Sequence, residues 1–318
     1  MTKTSTRPDF ACIEIIPVPI STLSPDKTLA IWGAMRARKS AETASADGFA
    51  RMLATCLDNG VDWIDHADIY DDGQVEALHG EALSRLSPDQ RQGLRLITKC
   101  GVRFKSPGQA GVRLHHYRSD AAFIRRQAEA SLQALKCDQI DLYLLHRPDY
   151  LMKAEETARA LEDLVREGKI AAFGVSNFSA TQTDTLAAAS TAHIAANQIE
   201  LSPLHAAALD DGSLDHIRRS GMALLAWSPL GGSRLFDPQS PGDKRVSVVL
   251  NRLAETAGLD DPAIPALAWV RRLGALPILG TCRSDRLLAQ VEGLRRFGEM
   301  DVQDWYEVLE AARGHRVP

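Results

Sequence analysis

The sequence lacks the features that mark several large functional classes. Its 318 residues contain no run of five or more lysines and arginines, and the formal net charge is −4, so the charge pattern gives no reason to expect a nucleic acid partner. No segment reaches the roughly 18 consecutive apolar residues of a membrane-spanning helix. The N-terminal segment is interrupted by Glu14, Pro17 and Pro19, and it has no apolar core of a signal peptide. The pattern therefore favours a globular protein with neither a nucleic acid nor a membrane role.

Cysteine is also scarce. The five cysteines are odd in number, widely spaced and without a CxxC pair, so we expect reduced thiols and a cytoplasmic protein. No HExxH framework is present either. Asp65, His66 and Asp68 have the character of hard metal ligands, but consecutive residues of a strand point to opposite sides, so Asp65 and His66 cannot both face one ion. We therefore expect no metal site.

The sequence does contain a regular alternation of short apolar runs with amphipathic segments. Residues 49–57 carry apolar side chains at the spacing of one helix face, and Gly60 then predicts a stop. Ser119 is expected to cap a further helix. The eight apolar runs lie at residues 28–33, 61–65, 94–99, 140–146, 170–176, 194–200, 222–228 and 276–280.

Strand and helix repeated eight times predict an α/β protein with a (β/α)8 TIM barrel, forming a single domain over residues 1–318. Residues 1–27 would form an N-terminal extension or a hairpin at the bottom of the barrel. Extra helices are expected at residues 244–258, before the eighth unit, and at 302–313. The main alternative is a doubly wound open sheet, which is disfavoured because no GxGxxG motif follows any run.

Polar residues stand where most of the predicted strands end, which is where a barrel of this kind carries its active site. Singly, each could be a helix cap, a core histidine or a lysine at the rim. Together they favour a functional site. These residues are Asp65, Lys99, His146, Ser176, Asn177, Gln198, Glu200 and Ser228.

The residue types indicate a site that polarises a carbonyl group. Tyr70 lies five residues beyond Asp65, where its hydroxyl could turn back over the barrel mouth. An adjacent Lys99 ammonium would lower the pKa of that phenol, and Asp65 would pair with the lysine. His146 would then orient a substrate carbonyl. A lysine at a strand end also suits a Schiff-base aldolase, which stays open as an alternative.

Seven motifs, in this order and at successive strand ends, resemble the aldo-keto reductase superfamily. The resemblance runs from about residue 28 to the C-terminus, and it is closest to a bacterial branch of the family. The motifs are WIDHADIY, LITKC, LLHRPD, FGVSNF, NQIELSP, AWSPLGG and LPILGTCRSDR.

The resemblance implies an NADP(H)-dependent oxidoreductase that reduces an aldehyde or ketone to an alcohol. Tyr70 would be the general acid, Lys99 and Asp65 would tune it, and His146 would steer the substrate oxygen. A second alternative is a regulatory subunit that binds the cofactor with little turnover, because some relatives use the barrel in that way. The small-molecule carbonyl substrate, the direction of the reaction in the cell and the oligomeric state are left open by the sequence.

The same resemblance implies the cofactor contacts. The nicotinamide end would be held by Ser176, Asn177, Gln198 and Trp227, the last standing where many relatives have a tyrosine. The pyrophosphate would lie on the loop with Ser228, Leu230 and Gly232. The adenosine half would meet Arg283, Ser284, Arg286 and Gln290, with the two arginines clamping the ribose 2′-phosphate.

Substrate choice is expected to depend on the long loop at residues 101–118. Its basic and aromatic residues hint at a polar or anionic carbonyl compound. The substrate candidates are Trp32, Phe104, His116, Tyr117 and Tyr150. Two departures from the commoner family pattern put the geometry of the Tyr70 loop in question: His66 replaces a small residue, and Asp71 stands where glycine is frequent.

Overall fold

The strand-and-helix alternation folds as the predicted barrel. A computed structural model describes residues 23–232 and 234–318, so most of the predicted N-terminal extension lies outside the described residues. Eight parallel strands close in the order β1-β10-β9-β8-β7-β6-β3-β2, and β4 and β5 form a separate antiparallel hairpin. The strands are β1 (Ile31–Gly33), β2 (Trp63–Asp65), β3 (Arg95–Cys100), β4 (Val102–Arg103), β5 (His116–Tyr117), β6 (Ile140–Leu145), β7 (Ile170–Ser176), β8 (Ala196–Glu200), β9 (Ala223–Trp227) and β10 (Ala275–Leu279).

Helices follow the barrel strands and cover the outside of the barrel. The helices at Pro241–Thr256 and Val302–Arg313 confirm the predicted extra helices. The first begins three residues earlier than expected, where Ser240 accepts a hydrogen bond from the Asp243 N–H. No helix among the described residues has the length and apolarity needed to cross a membrane. The helices are α1 (Ala46–Asp58), α2 (Gln74–Ala82), α3 (Pro88–Gly93), α4 (Ala121–Leu135), α5 (Ala154–Arg166), α6 (Ala180–Ala188), α7 (Ser213–Arg219), α8 (Pro241–Thr256), α9 (Ala263–Arg272), α10 (Ser284–Phe297) and α11 (Val302–Arg313).

One helix boundary differs from the prediction. Asp120, not Ser119, caps α4, and its side chain accepts a hydrogen bond from the Phe123 N–H at 3.1 Å. The Ser119 hydroxyl instead donates to Asp149 at 2.9 Å, which ties the start of α4 to the segment after β6. Ser119 and Asp120 are both residue types that cap helices, and the hydrogen bond from Ser119 to Asp149 leaves Asp120 as the cap.

Side chains alternate along each barrel strand, and this alternation decides which polar groups reach the barrel interior. In β2, Trp63 packs with the apolar cluster inside the barrel, and Ile64 packs with the cluster between the strands and the helices. Asp65 therefore points inward. His66 points toward the helices, so the two residues cannot share one ligand.

The outward-facing His66 pairs with a second buried histidine. Its Nε2 atom lies 3.0 Å from Nδ1 of His79 on α2, and the two rings meet edge to face beside Phe49 of α1. Desolvation lowers the pKa of His66 well below its usual range and lowers the pKa of His79 to about 3, so both rings are neutral. The pair fastens the end of β2 to α2, directly beside Asp65.

We expect His79→Ala to lower the free energy of unfolding by roughly 2–4 kcal/mol, because it leaves a cavity and an unpaired ring nitrogen on His66. Denaturant unfolding measures the loss. His193→Ala is the matched control, since His193 is exposed. An equal loss in the two variants would contradict the structural role of the histidine pair.

Candidate active site

A buried lysine is the centre of the polar cluster at the barrel mouth. Lys99 on β3 is fully buried, and its ammonium donates to Asp65 Oδ2 at 2.8 Å and to the Tyr70 hydroxyl at 3.1 Å. It also donates to the His66 carbonyl at 2.7 Å. All three N–H donors are therefore satisfied, as a buried ammonium requires. The structure brings three of the four predicted catalytic residues into direct contact.

The backbone around β2 and β3 holds this cluster in place. Asp65 lies opposite Ile97 in the parallel register, which brings its carboxylate beside Lys99, two residues further along β3. The chain then turns, with the Asp68 N–H donating to the Lys99 carbonyl at 3.1 Å. Asp71 and Asp72 follow Tyr70 with φ of 49° and 54°, in the left-handed region that favours glycine. Asp tolerates that region, so the loop still returns Tyr70 to the lysine.

Opposing effects set the protonation of the cluster. Desolvation raises the pKa of the Tyr70 phenol, and the Lys99 ammonium lowers it only in part. The expectation that Lys99 lowers the pKa of Tyr70 is correct for that one contribution, but burial outweighs it. For Lys99, burial alone would lower the pKa, yet Asp65 and Tyr70 together hold it above its usual value. The resting cluster is thus a neutral phenol beside a charged ammonium.

His146 completes the predicted set at the end of β6. Its ring centroid lies 6.2 Å from that of Tyr70, nearly at a right angle to it. Desolvation, with the charges of Lys99 and Arg147, lowers its pKa well below the usual range, so the imidazole is neutral. Its Nδ1 atom is buried and has no hydrogen-bond partner among the described residues.

The residues predicted to hold the nicotinamide form one hydrogen-bonded chain. The Trp227 indole N–H donates to Asn177 Oδ1 at 2.9 Å, the Asn177 amide donates to Ser176 Oγ at 2.8 Å, and that hydroxyl donates to the Gln198 carbonyl at 2.9 Å. The Gln198 amide in turn donates to Asp65 Oδ1 at 2.8 Å. Gln198 therefore supports Asp65 directly, a contact that its motif alone did not predict.

Two of these strand ends carry strained backbone. Asn177 follows β7 with φ of 60°, and Ser228 follows β9 with φ of 51°. Neither is glycine, and such conformations cost on the order of 1 kcal/mol each. Both residues directly follow a barrel strand, at the mouth of the barrel.

A cavity of about 640 Å³ begins at Ser228, just after β9, and reaches Arg286 and Gln290 on α10. It is lined by five of the residues predicted to contact the cofactor, together with Arg36 and Thr281. Arg36 makes no ion pair within residues 23–232 and 234–318, and it lines the cavity together with Arg286 and the carboxylate of Asp261. The five predicted residues are Ser228, Leu230, Gly232, Arg286 and Gln290.

Of the two arginines predicted to clamp the ribose 2′-phosphate, only Arg286 lines this cavity. Arg283 is exposed, pairs with Asp285 and does not line the cavity. The N–H and hydroxyl of Ser284 both donate to Glu42, at 3.1 and 2.8 Å, and these bonds lower the pKa of that carboxyl. A carboxylate from the loop before α1 thus lies on the N-terminus of α10.

Sequence reasoning missed three residues around the site. Glu42 and Arg36 lie outside all seven motifs, so nothing in the sequence singled them out. The Arg147 guanidinium lies 5.7 Å from the Trp227 ring, and its place directly after His146 in the HRPD motif was an available signal.

The substrate candidates do not form one surface. The prediction that Trp32 faces the barrel mouth is wrong. Trp32 is fully buried, packs edge to face on Phe49 of α1 and donates to the Thr281 carbonyl at 2.7 Å. Its neighbour on the strand, Ile31, is the one that faces inward. Tyr117 and Tyr150 contact each other, with ring centroids 6.5 Å apart, and Tyr150 is 85% exposed.

The other two candidates lie on the same long loop. The Phe104 N–H donates to the Gln109 side chain at 3.2 Å, and His116 on β5 is exposed. His116 lines a separate basic cavity, which shares no lining residue with the 640 Å³ cavity. A role for Phe104, His116, Tyr117 and Tyr150 in substrate choice stays a prediction.

The chain is similar in sequence to known oxidoreductases and similar in fold to a solved aldo-keto reductase. The chain is 40% identical over 278 residues to oxidoreductase YdhF from Escherichia coli, covering 86% of this chain and 90% of that protein. It is 36% identical over 289 residues to a 6-dehydroglucose reductase from Agrobacterium fabrum, covering 90% and 95%. An aldo-keto reductase from Klebsiella pneumoniae, solved in complex with NADPH, aligns with a TM-score of 0.72 at 25% identity over 93% of this chain and 94% of that one.

The chain also matches the model of an entire protein family. The model of the aldo/keto reductase family matches residues 31–310, which is nearly the entire barrel with its covering helices. Because that match spans most of the chain, and the relatives above cover it at more than a third identity, the protein belongs to the aldo/keto reductase family, a family of oxidoreductases.

Proposed function

We propose that the protein is an NADP(H)-dependent oxidoreductase that reduces an aldehyde or ketone to an alcohol. The observation that carries the proposal is the buried Lys99 ammonium shared between the Asp65 carboxylate and the Tyr70 phenol. Membership of the family supports the reaction class, and a family member solved with NADPH supports the cofactor.

The chain's own residues would move one proton. A carbonyl oxygen bound next to Tyr70 would accept a hydrogen bond from the phenol and one from the neutral His146 ring. As negative charge develops on that oxygen, the Tyr70 proton would transfer to it, and the Lys99 ammonium would stabilise the phenolate left behind. Asp65, held by the Gln198 amide, keeps the lysine charged and in place. When bound, the nicotinamide supplies the hydride.

The cavity that continues to α10 fits an extended dinucleotide. The amide and hydroxyl groups of Asn177 and Ser176 suit a carboxamide, and the Trp227 ring offers an apolar face for stacking. Arg36 and Arg286 place two guanidinium groups on the cavity wall, which suits phosphate groups. With Arg283 paired to Asp285, Arg286 is the better candidate for the ribose 2′-phosphate.

The aldolase alternative is disfavoured by the state of the lysine. A Schiff base requires a neutral amine with a free lone pair. Lys99 instead donates three hydrogen bonds, and Asp65 and Tyr70 hold its pKa above the usual value. For the substrate, two relatives named 6-dehydroglucose reductase, at 36% and 37% identity, make an oxidised sugar a first compound to test beside keto acids, diketones and quinones.

We expect Tyr70→Phe to lower the turnover of NADPH-dependent carbonyl reduction by about 10²- to 10⁴-fold, because it removes the proton donor and little else. The affinity for NADPH, measured by the quenching of protein fluorescence, should stay within about threefold of the wild-type value. A different outcome would be that NADPH binds to both proteins while neither the wild type nor Tyr70→Phe reduces any carbonyl compound. In that case the regulatory-subunit alternative replaces the reductase.

We expect Lys99→Met to abolish reduction and to lower the free energy of unfolding by roughly 3–5 kcal/mol, because Asp65 is left as an unpaired buried charge. Adding Asp65→Leu should restore about half of that stability without restoring activity. Reduction that survives in Lys99→Met would contradict the proposed role of the ammonium.

We expect Glu42→Gln to tighten NADPH binding about tenfold, because the carboxylate on Ser284 competes with the 2′-phosphate for the same donors and repels it. NADH, which has no 2′-phosphate, should bind with unchanged affinity. Glu81→Gln, an exposed site with the same loss of charge, is the control. Equal tightening for both cofactors would contradict the placement of the 2′-phosphate beside Ser284 and Arg286.

A further inference from the structure

A second cavity, separate from the candidate active site, is lined by basic residues. It measures about 500 Å³ and lies between the loop at residues 101–118 and the start of α4. Four arginines and a histidine line it, and no carboxylate side chain does so among the residues the structure describes. The basic residues are Arg103, Arg113, His116, Arg118 and Arg126.

The arginines are gathered around one aromatic ring. The guanidinium carbons of Arg103, Arg118 and Arg126 lie 5.7, 5.2 and 5.6 Å from the centre of the buried Phe123 ring. Each distance is within the range of a cation–π contact. Phe123 lies in the first turn of α4, so the ring fixes three cations from three different segments on one side of that helix.

Most of these cations make no ion pair with a residue that the structure describes. Arg118 pairs with Asp120. Arg103 makes no ion pair, although its charge lowers the pKa of the buried Asp68, and Arg113 and Arg126 make neither an ion pair nor a side-chain hydrogen bond to any described residue. Unpaired like charges held close together repel each other, so an anion between them would relieve the repulsion.

We propose that this cavity binds the phosphate group of a small molecule. Planar guanidinium forks match the oxygens of a phosphate, and a phosphate offers three free oxygens to several arginines where a carboxylate offers two. The net charge of −4 and the lack of basic runs elsewhere argue against a polyanion that would need an extended basic surface.

The cavity is connected to the Tyr70 loop on two sides. Gln127, which lines the cavity, donates to Asp68 at 2.9 Å, two residues before Tyr70. On the other side, the Ser106 hydroxyl and the Gly108 N–H both donate to Asp72, two residues after Tyr70. A phosphate that orders the long loop would therefore brace the segment that carries Tyr70. This consequence rests on the proposed function, whereas binding itself does not.

Calorimetric titration of the full-length protein tests the site. The probes are inorganic phosphate and glucose 6-phosphate, which separate a free phosphate from a phosphorylated metabolite. Saturating NADPH keeps the probes out of the cofactor cavity. We expect saturable binding of at least one probe, weakened about tenfold or more in Arg103→Gln/Arg126→Gln. The control Arg51→Gln/Arg91→Gln removes two exposed, unpaired arginines elsewhere and should bind as the wild type does.

Several results would overturn the proposal. One is that neither probe shows saturable binding, and another is that binding weakens equally in the control variant. A third is that Arg286→Gln loses phosphate binding while Arg103→Gln/Arg126→Gln binds as the wild type does. Tight binding of RNA or of an acidic protein in place of both probes would overturn the small-molecule class. If Tyr70→Phe leaves turnover unchanged while the probes still bind, the proposed function fails and the phosphate site stands.

Discussion

The rest of the site depends on burying one ammonium group inside the barrel. Lys99 is fully buried, and a charge in that position is tolerated only when every donor is used and an opposite charge is close. The parallel register of β2 and β3 supplies Asp65, the turn after β2 supplies the His66 carbonyl, and the same turn returns the Tyr70 hydroxyl. Gln198 and the histidine pair behind β2 then hold Asp65 and its strand in place. One constraint thus explains why residues from four elements converge.

Much of this architecture was predictable from the sequence because it follows from periodicity. Eight apolar runs separated by helical segments predicted the barrel, and polar residues at the ends of those runs predicted where a site would form. The alternation of side chains along a strand also separated Asp65 from His66 correctly, one inside the barrel and the other paired with His79. The contact among Asp65, Lys99 and Tyr70 follows from the same reasoning.

Features that depend on packing between distant segments were not predictable. Trp32 was misplaced because its strand is short and buried on both faces, so the sequence carries no sign of which face is inward. Asp120 and Ser119 are equivalent caps by residue type, and only the hydrogen bond from Ser119 to Asp149 distinguishes them. Glu42 reaches Ser284 across 242 positions, and the arginine cavity joins a loop to a helix start. The pKa of Tyr70 depends on how burial and the ammonium balance, which requires the three-dimensional positions of both.

The central claim is that the Lys99 charge stabilises the phenolate form of Tyr70. Ultraviolet titration of tyrosine ionisation measures this directly, when the curve of a Tyr70→Phe protein is subtracted to remove the other tyrosines. The same difference curve is then recorded with Lys99→Met in both proteins. We expect Tyr70 to ionise at a distinctly higher pH once Lys99 is absent. An unchanged or lower ionisation pH would contradict the stabilisation of the phenolate by the Lys99 ammonium.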